Sequence, residues 1–247
     1  MAAKQRADQL LVARGLAESR ARAQALIMAG LVVSETRRID KPGALLPADA
    51  PLAVKGKGHP WVSRGGVKLA HALDRFGLDP AGCICLDVGA STGGFTQVLL
   101  ARGAARVYAV DVGHGQLDWS LRQDPRVIVL ERTNARHLTA AEIPDLVDIV
   151  VCDASFIGLR TVLPAPLALA RPGAALVALI KPQFEAGPGR VGKGGIVRDE
   201  ALRAEICETI RAWIGAQPGW TVLGIVPSPI AGADGNIEFL IAARRAQ

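Results

Sequence analysis

Lys68, Asp153, Lys181 and Glu238 interrupt otherwise apolar stretches of this chain, and side chains of these types could move a proton at a cleft. The runs 147–152 and 174–180 read as parallel strands that Asp153 and Lys181 end, whereas Glu238 begins the run 237–242. If that last strand is antiparallel to the others, its start lies at the end of the sheet where they finish. A lysine between two carboxylates suits removal of a proton from an alcohol, which is too weak an acid to attack unaided. Acidic neighbours favour a protonated lysine, while desolvation or a second cation opposes it. Lys68, on a helix expected over 67–76, is placed to be that second cation. A structural ion-pair network is the alternative that position alone allows.

A second constellation is Asp87-Val88-Gly89-Ala90-Ser91-Thr92-Gly93-Gly94-Phe95, a glycine-rich turn between an expected strand and a helix. Open α/β sheets bind ligands at such turns. A dinucleotide fingerprint needs glycine where Ser91 stands, so that reading fails. S-adenosylmethionine carries an ammonium and a sulfonium and no phosphate, so Asp87 beside the turn is an asset. Gly89, Ala90, Ser91, Gly93, Gly94 and Phe95 form the expected cofactor turn. Asp111, closing the second strand, can accept hydrogen bonds from the cofactor ribose. Asn134, after the third strand, is assigned to the adenine, and Asp153 opens onto the same crevice. Loop capping is the alternative for Asp87, Asp111 and Asn134. A later segment, Gly187-Pro188-Gly189-Arg190-Val191-Gly192-Lys193-Gly194, nearly spells a nucleotide-binding loop but lacks the Ser/Thr that would hold magnesium. It reads as a mobile loop able to meet RNA phosphates.

The elements that must position these residues follow from periodicity. Short apolar runs at 83–88, 106–111, 127–130, 147–152 and 174–180 alternate with helical segments, and two more follow at 221–226 and 237–242. This pattern predicts an α/β fold, a doubly wound seven-stranded sheet of the Rossmann-like, class I methyltransferase kind with its last strand antiparallel. Ahead of it, 5–30 predicts two helices. Gly15 lies between them, Ser19 caps the second and Gly30 ends it. Residues 31–54 read as short strands and turns. The basic, glycine-rich Lys55-Gly56-Lys57-Gly58-His59-Pro60 marks a linker, so a small α+β domain is expected over 1–58 and a larger one over 59–247.

Charge is uneven along the 247 residues. Residues 1–60 hold 10 Lys/Arg against 5 Asp/Glu, and 61–247 hold 19 against 18. A basic region of this kind favours nucleic acid as partner. Four scattered cysteines, Cys83, Cys85, Cys152 and Cys207, make neither a disulfide framework nor a zinc set, so no metal is expected. No apolar run reaches the roughly 18 residues of a membrane span, and no secretory signal is read at Met1 to Arg6. A cytoplasmic, monomeric protein with no membrane partner is the expectation.

Ser19-Arg20-Ala21-Arg22-Ala23-Gln24-Ala25-Leu26-Ile27 leading into Gly30-Leu31-Val32-Val33 resembles the small RNA-binding domain named after ribosomal protein S-four. Arg22 and Gln24 fall off the apolar stripe and can meet phosphate or sugar, with Arg6 and Arg20 close by. Arg6, Ser19, Arg20, Arg22, Gln24 and, further on, Arg64 are the candidate RNA contacts. The alternative is a helical hairpin with a solvated charged face.

The order Lys68, Asp153, Lys181, Glu238 is similar to the Lys-Asp-Lys-Glu tetrad of FtsJ-like ribose 2'-O-methyltransferases. Ser63-Arg64-Gly65-Gly66-Val67-Lys68-Leu69, the segment 87–96, Asp153-Ala154-Ser155-Phe156-Ile157 and Lys181-Pro182-Gln183-Phe184-Glu185 extend the likeness over nearly the whole chain. The chain is identified as a member of the hemolysin-A-like TlyA family, which joins such a domain to an S-four-type module. The resemblance implies an S-adenosylmethionine-dependent enzyme that methylates a cytidine ribose of ribosomal RNA within ribosomal subunits. It implies Lys181 as base, with Asp153 and Glu238 orienting it and the ribose, and Lys68 stabilising the alkoxide. One departure is His59 in His59-Pro60-Trp61-Val62, where the family often has arginine.

Three other functions compete. A noncatalytic RNA-binding or ribosome assembly factor would keep the fold without the chemistry. A cytolysin is suggested only by the family's hemolysin label. An amino-methylating enzyme would carry an Asn/Asp-Pro-Pro-aromatic motif where this chain has Asp153-Ala154-Ser155-Phe156.

Overall fold

Strict alternation on buried strands sends neighbouring side chains to opposite faces of a sheet, and a sheet with apolar residues on both faces must be covered twice. In the computed structural model this decides the architecture of residues 61–247. The described residues are 4–17, 19–28, 30–35, 37–54, 59–187, 189–192, 194–232 and 235–247; the basic stretch 55–58 and the side chains of Arg22 and Ala25 lie outside them. Two compact units are present, Met1–Pro60 and Trp61–Gln247.

The first unit runs β1 (Lys4–Arg6), α1 (Ala7–Ala13), α2 (Arg20–Met28), β2 (Val32–Ser34), β3 (Arg37–Arg38), β4 (Leu45–Pro47) and β5 (Leu52–Val54). Ser19 holds the N-cap position of α2, its carbonyl accepting from Ala23 N at 2.9 Å. Beyond α2, Gly30 adopts φ +69°, a left-handed conformation that glycine enters without strain. Ala7, Leu11, Ala23, Ile27, Val32 and Ile39 make its buried core. β1 pairs antiparallel with β4, and β2 lies between β3 and β5.

The second unit opens with α3 (Gly65–Phe76) and continues as β6 (Ile84–Val88), α4 (Gly94–Ala101), β7 (Arg106–Val110), α5 (Trp119–Arg122), β8 (Val127–Leu130), a 3-10 turn (Ala135–His137) and β9 (Val147–Cys152). Then come α6 (Leu159–Val162), α7 (Pro164–Ala168), β10 (Ala170–Ile180), α8 (Pro182–Glu185), α9 (Glu200–Gly215), β11 (Trp220–Pro227) and β12 (Phe239–Arg245). The seven strands lie in the order β11-β12-β10-β9-β6-β7-β8, with β12 antiparallel to both neighbours. Cys85, Val107, Val151, Val177 and Ala242 share a core with α3 and α4, whereas Leu86, Tyr108, Val150, Leu176 and Ile241 share one with α6, α7 and α9. Among the described residues no helix is long and apolar enough to cross a membrane.

The expected sheet is present, with its last strand reversed. Asp153 and Lys181 directly follow β9 and β10, as the sequence places them, while two boundaries at this end of the sheet change: Asp111 stands one residue past β7 and Glu238 one residue before β12. The ladder ends on the apolar residue, which leaves each charged residue in the turn where its side chain is free of the pleat's alternation.

Candidate active site

The chain leaves β6 for β7 on one side and returns through β9 on the other, so the two strand exits diverge at one crevice. That is where open sheets take ligands. Gly89, at φ +82°, leaves β6 so close to the exit of β9 that a β-carbon there would sit 2.9 Å from Ala154 Cα and N. A cavity of about 430 Å³ opens beside it, lined among others by Gly89, Ser91, Asp111, Asn134, Asp153 and Phe156. Its size falls within the roughly 300–1,000 Å³ of small-molecule sites.

Five expected cofactor residues are absent from that lining: Asp87 is buried in β6, Ala90 and Gly93 lie in the turn, and Gly94 and Phe95 open α4. Gly93, at φ +96°, precedes α4, and Phe95 is buried under it. A β-carbon on Gly94 would strike Ser63 Oγ at 2.1 Å, so this glycine lets α3 approach α4. Ser91 takes φ +48°, uncommon for a non-glycine residue, and its N–H donates to Asp111 Oδ2 at 2.8 Å. Gly113 N donates to Asp111 Oδ1 at 2.7 Å, so Asp111 ties the turns after β6 and β7 together at the cavity wall.

Asp87 is fully buried. Its Oδ2 accepts from Thr96 Oγ1 at 2.6 Å, and its Oδ1 has no hydrogen-bond partner. Burial pushes its carboxyl up to about 7, with Thr96 opposing and Asp153 and Asp111 adding to the rise. A buried orphan acceptor beside a cavity is what an ammonium group would satisfy, so the residues fit the sulfonium cofactor anticipated from the turn.

The four charged candidates meet as two ion pairs. Lys68 Nζ lies 2.5 Å from Glu238 Oε2, with the two side chains 9% and 3% exposed. Lys181 Nζ lies 2.7 Å from Asp153 Oδ1 and donates to Asp153 O at 3.0 Å and Ser155 Oγ at 2.8 Å. The lysine expected between two acids is therefore held by one, and Glu238 serves Lys68. Strand register explains the convergence. Ile180 pairs with Phe239, which brings Lys181 and Glu238 to the next rung of adjacent strands, and Ala178 pairs with Cys152, which brings Asp153 alongside. A β-carbon on Gly65 would lie 3.4 Å from Asp153 Oδ2, so the first turn of α3 abuts that carboxylate. Lys68 stands three residues on, on the same helix face.

Around the mouth, Asn134 lines the cavity while its Oδ1 accepts from Arg136 N at 3.1 Å, so it both caps and faces the site. Glu131 accepts from Gly115 N, Arg122 and His114, which holds its carboxyl down at about 2 and braces the loop carrying Gln116. Phe156 is 91% exposed at φ +64°, its ring 5.1 Å from that of Phe184. Gln116 has no signal in the sequence, and Ser155 and Phe156 are marked there only as members of the segment Asp153-Ala154-Ser155-Phe156-Ile157, with no role assigned.

In the first unit Arg6, Arg20 and Gln24 all donate to one buried carboxylate, Asp8. Arg64, in the second unit, is exposed just ahead of α3.

Comparison with known proteins follows the same division. The family profile described as FtsJ-like methyltransferase matches residues 61–245, and that of the S4 domain matches 5–50. The chain is 51% identical over 250 residues to the 16S/23S rRNA (cytidine-2'-O)-methyltransferase TlyA of Mycobacterium tuberculosis, covering 99% of this chain and 91% of that protein. It is 41% identical to Hemolysin A of Brachyspira hyodysenteriae, covering 95% and 98%. A solved structure from Streptococcus thermophilus, named as a candidate hemolysin, superposes with a TM-score of 0.76 at 43% identity, covering 100% of this chain and 90% of that one.

Proposed function

The chain belongs to the FtsJ-like methyltransferase family, and on that premise we propose that it methylates the ribose 2'-hydroxyl of a cytidine in ribosomal RNA with S-adenosylmethionine as donor. The observation that carries this reading is Lys181, fixed by Asp153 and Ser155, which both line the cavity whose wall holds Asp111. When bound, the cofactor supplies an electrophilic methyl on a sulfonium.

Asp111 would hold the cofactor ribose, the orphan Oδ1 of Asp87 its ammonium, and Asn134 its adenine. Lys181, once its ammonium has passed a proton to solvent, takes the proton from the 2'-hydroxyl as its oxygen attacks, and Asp153 and Ser155 keep Nζ aimed while it does. Lys68, held by Glu238, offsets the negative charge gathering on that oxygen. Holding the attacking oxygen in line supplies much of the acceleration. Residues 1–58 would dock the RNA through Arg6, Ser19, Arg20, Arg22 and Gln24, with Arg64 contributing from the catalytic side, and residues 59–247 would do the chemistry.

Labelled methyl transfer to unmodified ribosomal subunits tests the assignment. Lys181→Ala is expected to reduce transfer by about 10³-fold while leaving cofactor binding intact. Undiminished transfer would remove Lys181 from the mechanism.

A further inference from the structure

Asp8 is an acid at the centre of a basic domain. It lies in the first turn of α1 and is 0% exposed. Its Oδ1 accepts from Arg6 Nε and from Gln9 N, each at 3.0 Å. Its Oδ2 accepts from Arg6 Nη2 at 2.9 Å and from Arg20 Nε and Gln24 Nε2, each at 3.0 Å. Three of these partners are residues that sequence assigned to RNA. A buried carboxylate is costly unless paired and hydrogen-bonded; here five donors surround it, and the Arg6 bonds above all hold its carboxyl far below the usual range.

The arginines are not buried with it. Arg6 and Arg20 remain 40% and 55% exposed, and Arg20 reaches Asp8 through Nε, which leaves the end of its fork out of that bond. Two guanidinium groups against one carboxylate leave a net charge of +1 at the surface. A long side chain that swings freely loses conformational entropy when it meets a phosphate, and one already held at Nε loses less.

We infer that Asp8 is a positioning residue for RNA binding, gathering Arg6, Arg20 and Gln24 into a preorganised cluster that takes a phosphodiester of the substrate. This rests on the RNA reading above and adds a sign to it. If the face worked by net charge alone, removing an acid would tighten binding. If the acid preorganises the arginines, removing it weakens binding.

The test uses the full chain and unmodified ribosomal subunits, measuring Kd across a salt series, kcat at saturating subunits and thermal melting. Asp8→Asn is expected to raise Kd about tenfold, the scale of one charge-assisted hydrogen bond, with kcat at saturation unchanged. Affinity equal to or tighter than the parent's overturns the inference. Should Asp8→Asn fail to fold, Arg20→Lys decides: it keeps the charge and lacks the Nε donor, so Kd rises with an unchanged salt slope, and parent-like affinity overturns the inference. A parent that methylates while both variants bind as it does defeats the inference alone. A parent that binds no subunits defeats the RNA reading and the inference with it.

Discussion

Each unit holds lysines or arginines against acids, but the burial differs. At the end of the sheet where Lys181 and Asp153 meet, both members of the Lys68–Glu238 pair are buried, whereas around Asp8 the acid is buried and its arginines stand half in solvent. Where both charges are desolvated, neither can be removed without stranding the other, and the geometry is fixed at the expense of stability. Where only the acid is desolvated, the cations keep hydration and stay available to a partner. On the proposed reading the same pair of functional groups would serve reaction geometry in one place and presentation of charge in the other.

That contrast breaks most readily at Glu238. Glu238→Ala leaves Lys68 as an uncompensated buried cation and is expected to destabilise the fold by about 3 kcal/mol or more, read by chemical denaturation. The double variant Lys68→Met/Glu238→Leu should recover most of that stability and none of the methyl transfer. Arg20→Ala in the first unit should cost under about 1 kcal/mol, as for a half-exposed pair, because Arg6 and Gln24 still serve Asp8. Similar losses for Glu238→Ala and Arg20→Ala would erase the distinction.

Asp87 sharpens the comparison, being a buried acid that no cation among the described residues pairs with. Its carboxyl stands at about 7 against an ordinary 3.8, so the native chain keeps a proton that the unfolded chain loses. The stabilising share of this group is whole below about pH 4 and is lost as pH rises through 7. A bound ammonium beside Oδ1 favours the ionised form, so cofactor affinity should climb with pH across the same window, by up to about tenfold per unit. Calorimetric titration at several pH values would show the slope, and Asp87→Asn should flatten it. An equal slope in both proteins would mean that another group titrates.

Much of this was legible in the sequence because the sheet writes itself into alternating apolar runs. The same alternation explains why Asp153, Lys181 and Glu238 are placed at one rim, since each stands at the end or start of a strand run, whereas Lys68 is placed there only through the helix that precedes the sheet. Pairing was less accessible. Whether Glu238 meets Lys181 or Lys68 depends on how α3 approaches β12, and no local pattern encodes that distance. β1 escaped because three residues paired with a partner forty positions away leave no periodic trace. Asp8 was passed over because an isolated acid in a basic segment looks like charge balance until its donors are seen converging. Gln116 is a polar loop residue, and no spacing rule marks it.

The smallest effect separates two roles at one side chain. Asn134 Oδ1 caps the 3-10 turn through Arg136 N, and the residue also lines the cavity, so either duty could account for its place. Asn134→Ala should lower stability by about 1 kcal/mol, as for other lost caps, and weaken cofactor binding a few-fold, on the order of one neutral hydrogen bond. Asn134→Asp keeps the capping acceptor and loses the amide donors. It should therefore restore the melting temperature but not the affinity, measured by thermal melts beside cofactor titration. If aspartate restores both, Asn134 acts on the cofactor only by shaping the turn that carries Ala135 into the core.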